Sequence, residues 1–199
     1  MRLRYIDRIR AIAILCMVQV HTAAIIPPEG ISVDHPIAFV SAAIGGMAAP
    51  MFVTISGWGI YRSATRRSNS GNNNISSWIS WMIPRITILT ICQLLVNSAL
   101  FIDRGGRFDW MTPGVLTLLA LASLIGPVIV YLTKKQRFSM MLLFIISPLI
   151  IGDLSGIDLY WSERVSSIGI EEWIERLLLN GTYPAFPWLA FIFLGSLPA

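Results

Sequence analysis

The segment RIRAIAILCMVQVHTA, residues 8–23, sets two groups capable of chemistry, Arg10 and His21, in a mostly apolar run. In a helix, a separation of 11 residues turns through about 1100°, about 20° past three full turns. The two side chains then share one face and lie about 16 Å apart along the axis. A guanidinium holds phosphates and carboxylates through charge-assisted hydrogen bonds. An imidazole can take or give a proton near neutral pH. Each residue also has a simpler role. Arg10 can anchor a helix end at lipid headgroups, and His21 can bond to a neighbouring helix.

Arg85 is a second candidate, directly after Pro84 in another apolar run. A proline inside a helix frees a carbonyl one turn earlier and bends the axis. Arg85 can use such polar surface to meet a ligand, or it can snorkel to the interface. Thr54 and Ser56, in AAPMFVTISGWG (residues 48–59), are hydroxyl donors available to a developing oxyanion. The small residues around them, Gly57 and Gly59 included, also suit ordinary close helix packing. His35 follows Asp34 in a loop and reads as half of a hydrated pair. Two histidines and two cysteines, Cys16 and Cys92, match no recurring metal-site spacing, so no metal is expected. Neither a phosphate-cradling glycine loop nor a zincin helix occurs. Asn180-Gly181-Thr182 has the form of a glycosylation sequon.

The elements that must position these groups are membrane helices. Only 13% of the 199 residues are charged, against about 25% in soluble domains. Mean hydropathy is +0.67. Candidate spans cover residues 9–26, 36–61, 75–100, 113–132 and 138–151, and a sixth begins near Pro187. The predicted fold is an all-α, polytopic membrane helical bundle of five to six transmembrane helices. The 13 residues from 187 to the chain end are too few to cross a bilayer of about 30 Å. A truncated bundle or a re-entrant last element would account for that.

Charge orients the bundle. Of 15 basic residues, 10 flank the first, second and fourth spans at one side: Arg2, Arg4, Arg8, Arg10, Arg62, Arg66, Arg67, Lys134, Lys135 and Arg137. Every acidic residue except Asp7 falls in loops expected on the other side. The positive-inside rule then places the N-terminus in the cytoplasm. The formal charge of +4 reflects this topology, so no nucleic-acid partner is inferred. The loop at 152–184 is expected outside.

RLRYIDRIRAIAILCMVQVHTA resembles the opening of the transmembrane acyltransferase superfamily, in which an aspartate, an arginine and, after an apolar run, a histidine recur. The matching residues are Asp7, Arg10 and His21. APMFVTISGWGIYRS (residues 49–63) is similar to the family's second-helix motif, and WMIPRITIL to its arginine-bearing third helix. PGVLTLLALASL and YPAFPWLAFIFLG are similar to the heparan-alpha-glucosaminide N-acetyltransferase-like branch; the spacing of Arg10 and His21 is that of the acyltransferase-3 branch. The resemblance runs along nearly the whole chain. It implies one transmembrane acyltransferase-like domain over 1–199, the N-terminal part of a longer bundle.

The resemblance further implies an integral protein of a prokaryotic cell membrane. Acetyl-CoA or another acyl-CoA would be the donor on the cytoplasmic side, and a sugar or glycan the acceptor on the outer side. His21 would be the catalytic base or an acyl carrier, Arg10 and Arg85 would face the donor, and Asp7, Thr54 and Ser56 would support them. Homo-oligomerisation is compatible with this. A small-solute transporter-like bundle and a non-catalytic structural membrane protein are the alternative readings, because broken helices with intramembrane charge also serve carriers.

Overall fold

The computed structural model describes residues 4–26, 35–71 and 74–198. Arg2, the Pro27-Pro28 pair, Glu29 and Asp34 lie outside the described residues. The described chain is all-α: α1 (Arg4–Ile25), α2 (Pro36–Gly46), α3 (Ala48–Asn69), α4 (Ile75–Ala99), α5 (Val115–Ile129), α6 (Lys134–Ile151), α7 (Trp161–Val165), α8 (Gly169–Glu175) and α9 (Ala185–Ser196). It divides into two compact units, Met1–Ile55 and Ser56–Ala199, with the boundary inside α3.

In the first unit, α1 packs on α2. Pro36 opens α2, where its missing N–H costs nothing, and His35 caps it. The His35 Nδ1 accepts the Ile37 N–H at 3.2 Å, so this histidine acts as a helix cap. Gly45 lets the helices touch. A Cβ there would lie 2.6 Å from Val20 Cβ and 2.5 Å from Gln19 Oε1. Gln19 Nε2 donates to Ser41 Oγ across the same contact. The expected span at 36–61 is interrupted at Met47, directly after Gly45-Gly46, and its second half continues to Asn69. Pro50 lies in the first turn of α3, where no intrahelical N–H bond is lost.

In the second unit, contacts fix the helix directions. Ser63 and Arg67 of α3 bond to Trp81 and Ser77 of α4, so these helices are antiparallel. Gly126 of α5 lies against Trp81, and Gly114 before it against Gln93, so α4 and α5 are also antiparallel. Arg137 of α6 reaches Ser196 of α9, while Phe144 stacks on Phe193 at 5.7 Å between centroids. Gly57 of α3 meets the backbone of Ile192, where a Cβ would lie 2.2 Å from the carbonyl oxygen. That glycine of the SGWG motif is therefore a crossing point. Asn74 caps α4, and the helix passes through Pro84 unbroken. Thr133 and Gln136 form a capping box on α6.

One end of this unit thus gathers the C-terminal half of α3 and the N-terminal ends of α4 and α6. It carries Arg62, Arg66, Arg67, Lys134, Lys135 and Arg137. The acids of the unit all lie in 103–109 and 153–175, at the other end.

The expected five to six crossings are corrected. Among the described residues three helical stretches are long and apolar enough to span: Pro36–Asn69, Ile75–Ala99 and Lys134–Ser155. Counting the bent pair Gly169–Asn180 and Ala185–Ser196 as one span makes four. Two expected spans are not among these stretches. The 15 residues of α5 reach about 22 Å, less than a hydrocarbon core of about 30 Å, although the helix runs antiparallel to α4 from one end of the unit to the other. In α1 the charges Arg4, Asp7, Arg8 and Arg10 gather in the first two turns, and the uncharged stretch 11–25 follows them. The long apolar helices nevertheless make this an integral membrane protein.

Candidate functional site

In the first unit, α1 presents Asp7, Arg10 and His21. Its buried stripe runs through Ile6 and the fully enclosed Ala13. Arg10 and His21 stand about 60–80° around the helix from Ala13. Both are exposed, and they share one flank as their spacing requires. Arg10 Nη1 lies 3.9 Å from Asp7 Oδ1, with about half of the arginine side chain open (51%). This is a loose pair that leaves the guanidinium free to meet another anion. An open groove of about 420 Å³ runs between α1 and α2, lined by Gln19, Pro36, Ile37, Val40, Ser41 and Ile44. Gln19 is about 200° around α1 from His21, so the groove and the histidine occupy different faces. Gln19 Oε1 is buried there without a hydrogen-bond partner. Thr54, also in this unit, is half-buried on α3.

The second unit holds Ser56 and Arg85, both half-buried. The Arg85 guanidinium stands 5.1 Å from the centre of the Trp81 ring. Trp81 is itself fixed, because its Nε1 donates to Ser63 Oγ at 3.2 Å and its ring meets Trp78 edge-on. Arg85 Nη1 is buried with no hydrogen-bond partner. The arginine is thus held by stacking while a donor stays unused. Of the residues singled out in the sequence, Asp7 and Arg10 are brought into direct contact.

Two groups of functional-looking residues escaped the sequence reading. One is Arg137, counted there among loop charges but only 5% exposed. The capping box starts α6 at Lys134, which turns Arg137 onto the same face as Phe144, against α9. That i, i+7 relation was the available signal. The other is a polar cluster at the opposite end. Gln93 Nε2 donates to Asn97 Oδ1 at 2.8 Å. Asn97 Nδ2 donates to the carbonyls of Trp110 and Thr112 at 2.9 and 3.0 Å. Thr112 Oγ1 donates to Val165 O at 2.7 Å, tying the 100–114 segment to α7. Every link is satisfied, so the cluster is a clamp.

The expected loop at 152–184 is folded around Arg176 and Asn180, which sit in a π-helical turn, Arg176–Asn180. Arg176 Nη2 pairs with Glu172 Oε1 at 2.7 Å, and its Nη1 donates to Asn180 Oδ1 at 2.9 Å. Asn180 Nδ2 in turn donates to Glu175 Oε1 at 2.6 Å. Asn180 is buried, so the amide of the sequon is committed to the fold. Among the described residues, no group of three or more His, Cys, Asp or Glu is placed to hold a metal ion.

A family model described as "Heparan-alpha-glucosaminide N-acetyltransferase, catalytic" matches residues 2–199. Neither the curated proteins nor the solved structures give a match.

Proposed function

The chain belongs to the heparan-alpha-glucosaminide N-acetyltransferase catalytic family, a family of acyltransferases, and from that membership we propose that it moves an acetyl group from acetyl-CoA to a sugar acceptor across a prokaryotic cell membrane. The observation that carries this reading is the family match over residues 2–199, which takes in α1, α3 and α4 together. Residues 1–199 act as one acyltransferase domain, with the donor entering from the cytoplasm, where the N-terminus lies. The second unit supports a cytoplasmic place for its own basic end, which carries six Arg and Lys residues and none of the unit's acidic residues.

In this reading His21 accepts the proton of the acceptor hydroxyl or amine as that oxygen or nitrogen attacks the thioester carbonyl. The carbon–sulfur bond then breaks, and the CoA thiolate leaves and takes up a proton. Exposure of the imidazole on α1 supports the role, since a base must reach its substrate. Arg10 and Arg85 hold donor phosphates, each having a guanidinium not saturated by protein partners. Asp7 steadies Arg10, and Thr54 and Ser56 stand ready as hydroxyl donors to the oxyanion.

The roles separate in one experiment. Acetyl-CoA is titrated against the His21→Ala and Arg10→Ala variants, scored for binding and for acetyl release. His21→Ala abolishes release and leaves binding intact, because the imidazole acts chiefly in the transition state. Arg10→Ala weakens binding by about 1.5–3 kcal/mol, the worth of a charged hydrogen bond. Release at the parent rate by His21→Ala would return the histidine to a packing role.

A further inference from the structure

Arg137 is a buried cation with no counter-ion: among the described residues none forms an ion pair with it. Its Nη1 donates to Ser196 O at the C-terminal end of α9. Its guanidinium carbon stands 4.0 Å from the centre of the Tyr61 ring on α3. Its Nε is buried with no hydrogen-bond partner. A helix-end carbonyl and a ring face are favourable neighbours for a cation. They do not balance the desolvation of a full charge, which costs several kcal/mol unless an anion or further hydrogen bonds offset it. A second unused group lies on the face of α3 that carries Tyr61. Thr65 is one turn beyond Tyr61 on the same face of α3. Its Oγ1 is also buried without a partner. The surrounding end of the unit contributes Arg62, Arg66, Arg67, Lys134 and Lys135 and no acidic residue.

Two unused donors from different helices, one of them charged, with a basic rim and no carboxylate among the described residues, have the chemistry of a phosphate seat. We propose that Arg137 and Thr65 bind a phosphate group, and that it belongs to the nucleotide end of the acyl-CoA donor. The inference rests on the acyl-CoA reading above, and it adds an anchoring pair outside the Asp7, Arg10, His21 and Arg85 set. The Tyr61 ring holds the guanidinium in register, as Trp81 holds Arg85. A lipid headgroup offers the same phosphate chemistry and is the competing source.

The full chain, placed in nanodiscs of neutral phosphatidylcholine, is titrated with CoA, with the adenosine bisphosphate portion of CoA, and with phosphate-free S-acetyl pantetheine. Arg137→Gln is expected to raise the dissociation constants of the first two at least about tenfold and to leave that of S-acetyl pantetheine unchanged. Thr65→Val is expected to raise the same two by about threefold to tenfold. Arg137→Lys keeps the charge without the fork and falls between parent and Arg137→Gln. With Thr65→Val, it decides the matter if Arg137→Gln does not fold. A second set of nanodiscs contains phosphatidylglycerol. Loss of co-purifying phosphatidylglycerol on Arg137→Gln, with CoA affinity unchanged, overturns the donor assignment in favour of lipid. CoA and lipid binding both indifferent to Arg137 reduce the residue to a helix cap and overturn the site. Acetyl transfer at sub-saturating acetyl-CoA that is equal in the parent and in Arg137→Gln refutes this inference and leaves the acyltransferase reading standing. Arg137-dependent binding of the nucleotide portion by a parent that transfers nothing does the reverse.

Discussion

Replacing Asn97 with leucine keeps the side-chain volume and removes three hydrogen bonds. The amide of Asn97 donates to two carbonyls, of Trp110 and Thr112, and accepts from Gln93. A typical bond contributes about 0.5–1.5 kcal/mol net, so the three together contribute about 1.5–4.5 kcal/mol. Interhelical bonds measured in lipid average about 0.6 kcal/mol, which favours the lower half of that range. The expected loss is therefore about 2–3 kcal/mol. Its location is specific. Asn97 and Thr112 join the end of α4 to the 100–114 segment, and Thr112 carries the tie on to Val165. Asn97→Leu should therefore loosen residues 100–114 before it melts the helices. Denaturant unfolding in micelles measures the total, and hydrogen exchange at 100–116 and 160–166 locates it. Thr90→Leu, at an exposed position on the same helix, is the control and should fall within about 0.5 kcal/mol of the parent. A loss below about 0.5 kcal/mol for Asn97→Leu, or protection unchanged in 100–116, would refute the clamp.

The two glycines of SGWG should respond differently to alanine. Gly57→Ala drives a Cβ into the Ile192 backbone and should destabilise by about 1–3 kcal/mol. Gly59→Ala meets nothing within 4 Å and should be neutral or slightly stabilising in a thermal melt. In a chain freed of Cys16 and Cys92, cysteines at Ser70 and Ser162 should react with an impermeant maleimide from opposite faces of the membrane. Reaction of both from one face would overturn the orientation. In a glycosylating host the chain should show no mass shift removable by a glycosidase, because Asn180 is buried and bonded.

Legibility in the sequence followed local chemistry. The expected helix at 75–100 matches α4 closely, because Asn74 marks its start and one long apolar run fixes its length. The start of α6 was placed four residues late. Its first turn, Lys134 to Arg137, is polar, and the capping box that recruits it carries no apolar signal. The break at Met47 follows two glycines, and Pro50 does no harm in the first turn of α3. Segment 152–184 read as a loop because its organising core is polar. Arg176, Glu172 and Asn180 complete one another only in the folded chain. Arg10 and His21 could be found by type and spacing, and their shared flank of α1 follows from the helical repeat. Arg137 could not be told from Lys134 and Lys135 by composition. Its burial depends on α9, nearly sixty residues further along the chain.

The central claim is tested most directly by acetyl transfer across a sealed membrane. The chain is reconstituted in proteoliposomes with labelled acetyl-CoA confined to the face that carries Lys134 and Lys135 and a glucosamine-ended saccharide on the other. The account predicts acetylated saccharide with the parent and none with His21→Ala, although both bind acetyl-CoA alike. Equal product from the two, or product with parent only when donor and acceptor share one face, would contradict it.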